Sequence, residues 1–203
     1  MIQRDLQISG RTLHIYDTDP EKDGRLPVVW HHGTPNVGAP PEPLFAAADR
    51  LGLRWVSFDR PGYGSSTIAQ GRTISFVAND VAKVADALGI DEFAVAGYSG
   101  GGSYALGCAA VLGTRVRGVL SLAGIAPYGA DGLDWFAGMA PSGVAALGTA
   151  AAGREVRAAL GASGFAYDTQ FTARRFGIFR GSVGMAGEGR WAGSRRRAVR
   201  PDR

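Results

Sequence analysis

The chain has 203 residues, of which 45% are hydrophobic and 20% charged, a composition that excludes disorder for most of its length and predicts a globular domain. The net charge is +4, but residues 1–160 carry 13 basic and 15 acidic side chains, whereas residues 161–203 carry nine and three. The positive charge therefore belongs to the last segment and says little about the partners of the folded part.

Predicted strands and helices alternate along the first two thirds of the chain. An antiparallel hairpin is predicted first, with strands at residues 4–8 and 12–16. Later strands are predicted at residues 27–31, 54–58, 93–97 and 116–122, and helices between them at residues 43–51, 74–88 and 101–112. This order predicts an α/β fold with a mostly parallel sheet, the hairpin forming its antiparallel edge. After residue 127 only Ala- and Gly-rich helices are predicted, at residues 141–152 and 154–160.

The number of cysteines and the first residues of the chain indicate the cellular compartment. Cys108 is the single cysteine, which excludes an intramolecular disulfide and a cysteine cluster for a metal. The first residues resemble neither a secretory signal nor a transit peptide. Two uncharged runs, residues 93–114 and 135–153, are too rich in Gly, Ser and Ala for membrane spans. We therefore expect a cytoplasmic protein with no membrane partner and no metal.

The most informative motif is G-Y-S-G-G at residues 97–101, between a predicted strand and a predicted helix. A serine in such a sharp turn needs positive φ, and its flanking residues must be small for the chain to pass itself. Gly97 and Gly101 satisfy that need. The turn exposes the Ser99 hydroxyl and places the Gly100 amide at a helix N-terminus, where a developing oxyanion is stabilised.

A dinucleotide-binding fingerprint overlaps this motif, since residues 100–105 read G-G-G-S-Y-A. That fingerprint also requires an acidic residue about 20 positions further along, at the end of the next strand. Residues 120–124 read L-S-L-A-G and contain no acid. The dinucleotide interpretation is therefore disfavoured.

Two further segments follow predicted strands. Residues 32–35 read H-G-T-P, and Thr34 offers a backbone N–H where Pro35 has none. Residues 59–66 read D-R-P-G-Y-G-S-S, a turn-rich loop. In this order the three motifs resemble the α/β-hydrolase superfamily, in the branch that contains esterases, proline iminopeptidases and epoxide hydrolases. The resemblance covers about residues 1–127.

The resemblance implies roles for particular residues. Ser99 is the expected nucleophile, and the amides of Thr34 and Gly100 are the expected oxyanion hole. The remaining loop and turn residues, His32, Gly33, Gly97 and Gly101, are expected to support them. The implied reaction is cleavage of an ester, amide or similar acyl bond of a small molecule, without cofactor. Epoxide and haloalkane cleavage are disfavoured because those relatives carry Asp where this chain has Ser99.

The sequence departs from the family pattern after the serine. The family places an acid and then a histidine after later strands, yet the three histidines are His14, His31 and His32. None of them is expected to act as the base. The downstream acids Asp131, Asp134 and Asp168 lack a histidine to orient. We therefore expect at most trace activity from the chain as written.

The expected organisation has three parts. Residues 1–127 are expected to form the hydrolase core with six strands, lacking the last strands of the fold. The strand at residues 116–122 then becomes a sheet edge, and the chain is expected to be poorly soluble or unstable when expressed alone. Residues 128–170 begin a helical lid. Residues 171–203 form an Arg- and Gly-rich tail, interpreted as a nucleic-acid-binding arm, a disordered tail or, as we favour, an out-of-frame translation.

Two alternative functions stay open. One is a catalytically inactive hydrolase-fold chain that only binds a ligand in the former substrate pocket. The other, and the least favoured, is nucleic-acid binding through the Arg-rich tail. On the helix after Ser99, the side chains of Ser103, Tyr104 and Cys108 are expected to pack rather than to catalyse.

Overall fold

The computed structural model describes residues 1–21 and 24–164. Its strands are β1 (Ile2–Ile8), β2 (Arg11–Asp17), β3 (Leu26–His31), β4 (Leu53–Phe58), β5 (Phe93–Tyr98) and β6 (Val116–Leu122). Its α-helices are α1 (Phe45–Arg50), α2 (Ile74–Ala87), α3 (Gly100–Leu112), α4 (Pro141–Ala152) and α5 (Arg154–Ala162). The predicted order of strands and helices is therefore confirmed over these residues.

The six strands form one sheet in the order β1-β2-β4-β3-β5-β6. The β1–β2 hairpin pairs antiparallel, from Ile2 opposite Asp17 to Ile8 opposite Arg11, and β2 pairs antiparallel with β4. The pairs β3–β4, β3–β5 and β5–β6 are parallel. The predicted mostly parallel sheet with an antiparallel N-terminal hairpin is confirmed.

Helices cover both faces of the central strands β3 and β5, which explains why these two strands are apolar at nearly every position. Odd-numbered residues of β3, such as Val29, face a core shared with α2 and α3. Even-numbered residues, such as Trp30, face a second core shared with α1. Since successive side chains of a strand point to opposite faces, one short strand supplies both cores.

The predicted helix at residues 43–51 is wrong at its first turn. Glu42–Leu44 form a 3₁₀ turn, in which Leu44 N donates to Pro41 O at 2.9 Å. The α-helix begins only at Phe45. Short 3₁₀ turns are frequent at the N-termini of α-helices, and this one leads directly into α1.

Among the residues that the structure describes, β6 lies at the edge of the sheet, as the sequence predicts. Its residues are exposed or half-buried, with Leu120 51% exposed. The other edge, β1, carries polar and charged side chains that suit an edge, whereas β6 does not.

The described residues divide into two units, Met1–Pro127 and a second that begins at Tyr128. In the second unit the described residues end at residue 164 and include α4 and α5. No helix among the described residues combines the length and apolar character needed to cross a membrane. The lid prediction is untested. Asp168 and the tail at residues 171–203 lie outside the described residues.

Candidate active site

Ser99 alone makes the turn between β5, which ends at Tyr98, and α3, which begins at Gly100. Its φ is 55° and its ψ −126°, a conformation that side-chain-bearing residues rarely adopt. The Ser99 amide donates to Leu122 O of β6 at 2.8 Å, which ties the turn to the sheet. The positive φ predicted for Ser99 is confirmed.

The glycines around Ser99 allow this turn to form. A Cβ on Gly97 would lie 2.1 Å from Gly101 O, and a Cβ on Gly101 would lie 2.0 Å from His31 O. Real Cβ atoms cannot approach backbone so closely. The G-x-S-x-G spacing therefore lets α3 start directly against β5 and against the end of β3.

The loop after β3 lies against this turn. A Cβ on Gly33 would be 3.4 Å from Ser99 Cβ, and a Cβ on Gly100 would be 3.7 Å from Thr34 Oγ1. The Thr34–Pro35 peptide bond is cis. The structure thus brings together four residues that the sequence predicts from separate motifs: Ser99, Gly33, Thr34 and Gly100.

The sheet topology explains why these segments meet. They follow β3 and β5, which are neighbours, and the loop at residues 59–66 follows β4 on the other side of β3. The chain leaves β3 toward β4 on one side and later enters β5 on the other. In open α/β sheets, ligand sites form at the carboxyl ends of strands where the order reverses in this way.

Asp59 was not identified as an organising residue by the sequence analysis. Its buried carboxylate accepts hydrogen bonds from Gly38 N at 2.6 Å, Ser65 N at 2.9 Å and Tyr16 Oη at 3.2 Å. Burial, together with the Asp59 charge and hydrogen bond, raises the pKa of Tyr16 to about 12. In the sequence, the sign of this role was the charged pair Asp59-Arg60 within a motif that otherwise reads as a turn.

His32 supports the loop with both ring nitrogens. Its Nδ1 donates to Gly33 O at 2.8 Å, and its Nε2 accepts from Arg60 N at 3.1 Å. Burial and the Arg60 charge lower the pKa of His32 to about 4. At neutral pH His32 is an uncharged imidazole with neither nitrogen free to take a proton.

The other two histidines are engaged elsewhere. His31 is buried, with Nε2 3.4 Å from Cys108 Sγ, and burial lowers its pKa to about 3. Burial raises the pKa of Cys108 to about 12, so this thiol is a core group, as predicted. His14 lies on β2 and contacts Asp5 at 2.7 Å and Gln3 at 3.2 Å. No hydrogen bond within the described ranges joins a histidine to the Ser99 side chain.

The remaining polar candidates do not join the site by hydrogen bonds. Ser103 donates to Ile125 O at 2.5 Å, and Asp134 accepts from Phe136 N at 3.3 Å within its own turn. Asp131 is exposed in the second unit. Ser103 and Asp134 are therefore each engaged by a backbone group.

Fold and site define an α/β protein with a serine on a strand-turn-helix junction. A model of the α/β-hydrolase fold family matches residues 27–171, and the chain belongs to that family. Membership supports a hydrolase function. No curated protein sequence matches the chain.

Solved structures show the same fold. A hydrolase from Pseudomonas aeruginosa PA01 has a TM-score of 0.54 at 18% identity, covering 73% of this chain and 52% of that one. A "predicted CIB-like hydrolase" from Thermoplasma acidophilum has a TM-score of 0.51 at 18% identity, and the match covers 62% of each chain. Epoxide Hydrolase A from Mycobacterium thermoresistibile has a TM-score of 0.50 at 22% identity, and the match covers 58% of this chain and 37% of that one. This chain thus spans from 37% to 62% of the length of these three proteins.

Proposed function

We propose that this chain carries the nucleophile and oxyanion hole of a serine hydrolase that acts on an ester, amide or similar acyl bond of a small molecule. The observation that carries the proposal is the backbone of Ser99, strained at φ 55° between β5 and α3 with Gly33 packed beside it. Backbone strain of this kind concentrates at functional sites.

In the proposed reaction the Ser99 hydroxyl oxygen bonds to the acyl carbon and the carbonyl oxygen becomes an oxyanion. The amides of Thr34 and Gly100 donate to that oxyanion, and Gly100 adds the positive end of the α3 dipole. Collapse re-forms the carbonyl and breaks the bond from the acyl carbon to the leaving group, which takes up from solvent a proton equivalent to the one that Ser99 released. Water then attacks the acyl-serine, releases the acid and restores the hydroxyl.

The proton of Ser99 needs an acceptor. His31 and His32 are buried, uncharged at neutral pH and already bonded, and His14 bonds to Asp5 and Gln3. Loss of the histidine base from a serine hydrolase lowers turnover on the order of 10⁶-fold. This favours a second candidate, a chain that binds an acyl compound beside Ser99 without turning it over.

A fluorophosphonate tests the proposal, because at about pH 9 hydroxide can take the serine proton while the oxyanion hole still assists. We expect peptide mass spectrometry to locate the adduct on Ser99 and Ser99→Ala to abolish it. Ser103→Ala is the matched control, since Ser103 lies on the same helix and donates to Ile125 O. The Ser103→Ala variant should be labelled at Ser99 to the same extent as the wild type.

Labelling of Ser99 no faster in the folded chain than in urea would overturn the proposal. If a non-reactive acyl analogue still binds and protects Tyr98 from modification, the ligand-binding candidate takes its place. Tyr98 suits this readout because it is 50% exposed and adjoins Ser99.

A further inference from the structure

Arg60 is buried in a way that its sequence neighbours do not explain. It is 1% exposed, and among the described residues no carboxylate forms an ion pair with it. Its Nε has no hydrogen-bond partner there, and burial lowers its pKa below the ordinary value. A buried charge without a counterion is costly and is retained only where its other contacts compensate.

The hydrogen bonds of the Arg60 guanidinium go to residues 32–33, and two aromatic rings from other segments flank it. Its guanidinium donates to His32 O and, at 3.4 Å, to Gly33 O. The rings of Tyr63 and Tyr104 lie 5.0 Å and 4.8 Å from the guanidinium carbon. Cation–π contacts of this kind offset part of the desolvation cost and fix the position of the side chain.

A chain of hydrogen bonds links Arg60 to a single peptide unit. The Arg60 amide donates to His32 Nε2, and His32 Nδ1 donates to Gly33 O. Gly33 O therefore accepts from both His32 and the Arg60 guanidinium. That oxygen belongs to the same planar peptide as the Thr34 N–H, which points the opposite way. Donors on the oxygen fix the direction of this N–H and make it a stronger donor.

We propose that Arg60 is a positioning residue, which holds and polarises the Gly33–Thr34 peptide so that the Thr34 amide is aimed at the oxyanion formed on the Ser99 adduct. This inference rests on the proposed function. Arg60 does not touch the reacting atoms. It acts through Gly33 O, directly and through His32.

Two readouts test this role in the full chain. The first is fluorophosphonate labelling of Ser99, resolved into an inactivation rate and an inhibitor affinity. The second is the amide resonance of Thr34 in protein labelled with ¹⁵N-threonine, assigned by its loss in Thr34→Ser. If the role of Arg60 were purely structural, its substitution would not change the inactivation rate separately from the inhibitor affinity. It would also not shift the Thr34 amide resonance in a chain that remains folded.

Arg60→Gln should lower the inactivation rate on the order of 10- to 100-fold, with affinity within about twofold, because one oxyanion donor is weakened rather than removed. The Thr34 amide proton should shift upfield. Arg72→Gln is the matched control, since Arg72 also lies over Tyr63, at 5.5 Å, without bonding the loop carbonyls. It should change neither readout. If Arg60→Gln does not fold, Arg60→Lys, which keeps the charge but not the two-pronged geometry, is measured instead.

An unchanged Thr34 amide in a folded Arg60 variant would overturn the inference, as would an equal loss of rate in Arg72→Gln. If the wild-type chain is not labelled at Ser99, the proposed function fails, and the Thr34 resonance alone decides the role of Arg60. If labelling is normal in Arg60→Gln, the inference fails and the proposed function stands.

Discussion

Gly97 shows how one residue constrains the site. It lies at the end of β5, where a Cβ would meet Gly101 O at 2.1 Å. That contact is with backbone, which cannot rotate away as a flexible side chain can. The position therefore admits glycine alone unless α3 moves, and such a movement would displace Ser99.

Gly97→Ala should lower the free energy of unfolding by about 1–3 kcal/mol, the usual cost of overpacking, and should slow labelling of Ser99. The matched control is Gly118→Ala on β6, where a Cβ would meet no atom within 4 Å. It should be neutral or stabilise the protein by up to about 1 kcal/mol. Urea unfolding followed by circular dichroism measures both, and equal stabilities for the two variants would contradict this account.

At the scale of elements, side-chain patterns account for most of what forms. Thr73 caps α2 by accepting from Phe76 N at 3.1 Å, and the apolar positions of that helix face the sheet. Strand β6 is the exception, because it is apolar yet lies at an edge, with Val119, Leu120 and Leu122 at least 40% exposed. An apolar edge is a template for pairing with other chains.

We expect the chain to associate as its concentration rises, and Leu120→Lys to suppress that association because a charge on an edge strand opposes pairing. Gln7→Lys is the matched control, since Gln7 is exposed on the opposite edge strand, β1, which is already polar. Sedimentation velocity over a tenfold concentration range measures the effect. Identical behaviour of the two variants, or a monomeric wild type throughout, would count against β6 as the cause.

At the scale of the whole molecule, the sheet buries titratable groups beneath the site. His31 and His32 are each 1% exposed. Burial and the Arg60 charge hold their pKa values at about 3 and about 4, below the ordinary 6.5. The same packing that holds the loop therefore makes folding sensitive to acid.

The direction of this pH effect follows from proton uptake. Below pH 6.5 the unfolded chain protonates these two histidines while the folded chain does not, so the free energy of unfolding falls as pH drops toward 4. Each of the two histidines lowers the free energy of unfolding by up to about 1.4 kcal/mol for each pH unit in this range. Urea unfolding at several values between pH 7.5 and 4.5 should show this slope, and His31→Leu should reduce it by about half. A flat profile would refute the prediction.

Sequence patterns determined the features that depend on neighbours along the chain. The apolar run of β3, the helical period in α2 and the G-x-S-x-G turn at Ser99 are local, and each is found where it was predicted. The loop at residues 32–35 was selected for the same reason, because its position after a strand and its proline can be read directly.

Tertiary structure decided what depends on segments distant in sequence. Nothing local to Arg60 predicts its burial, which requires the carbonyls of His32 and Gly33 and the ring of Tyr104 to arrive from β3 and α3. The edge position of β6 was expected from the family resemblance and not from its own apolar residues, because exposure depends on which strands pair beside it. Local pattern fixes the conformation of a segment, but burial and charge compensation are properties of the contacts between segments.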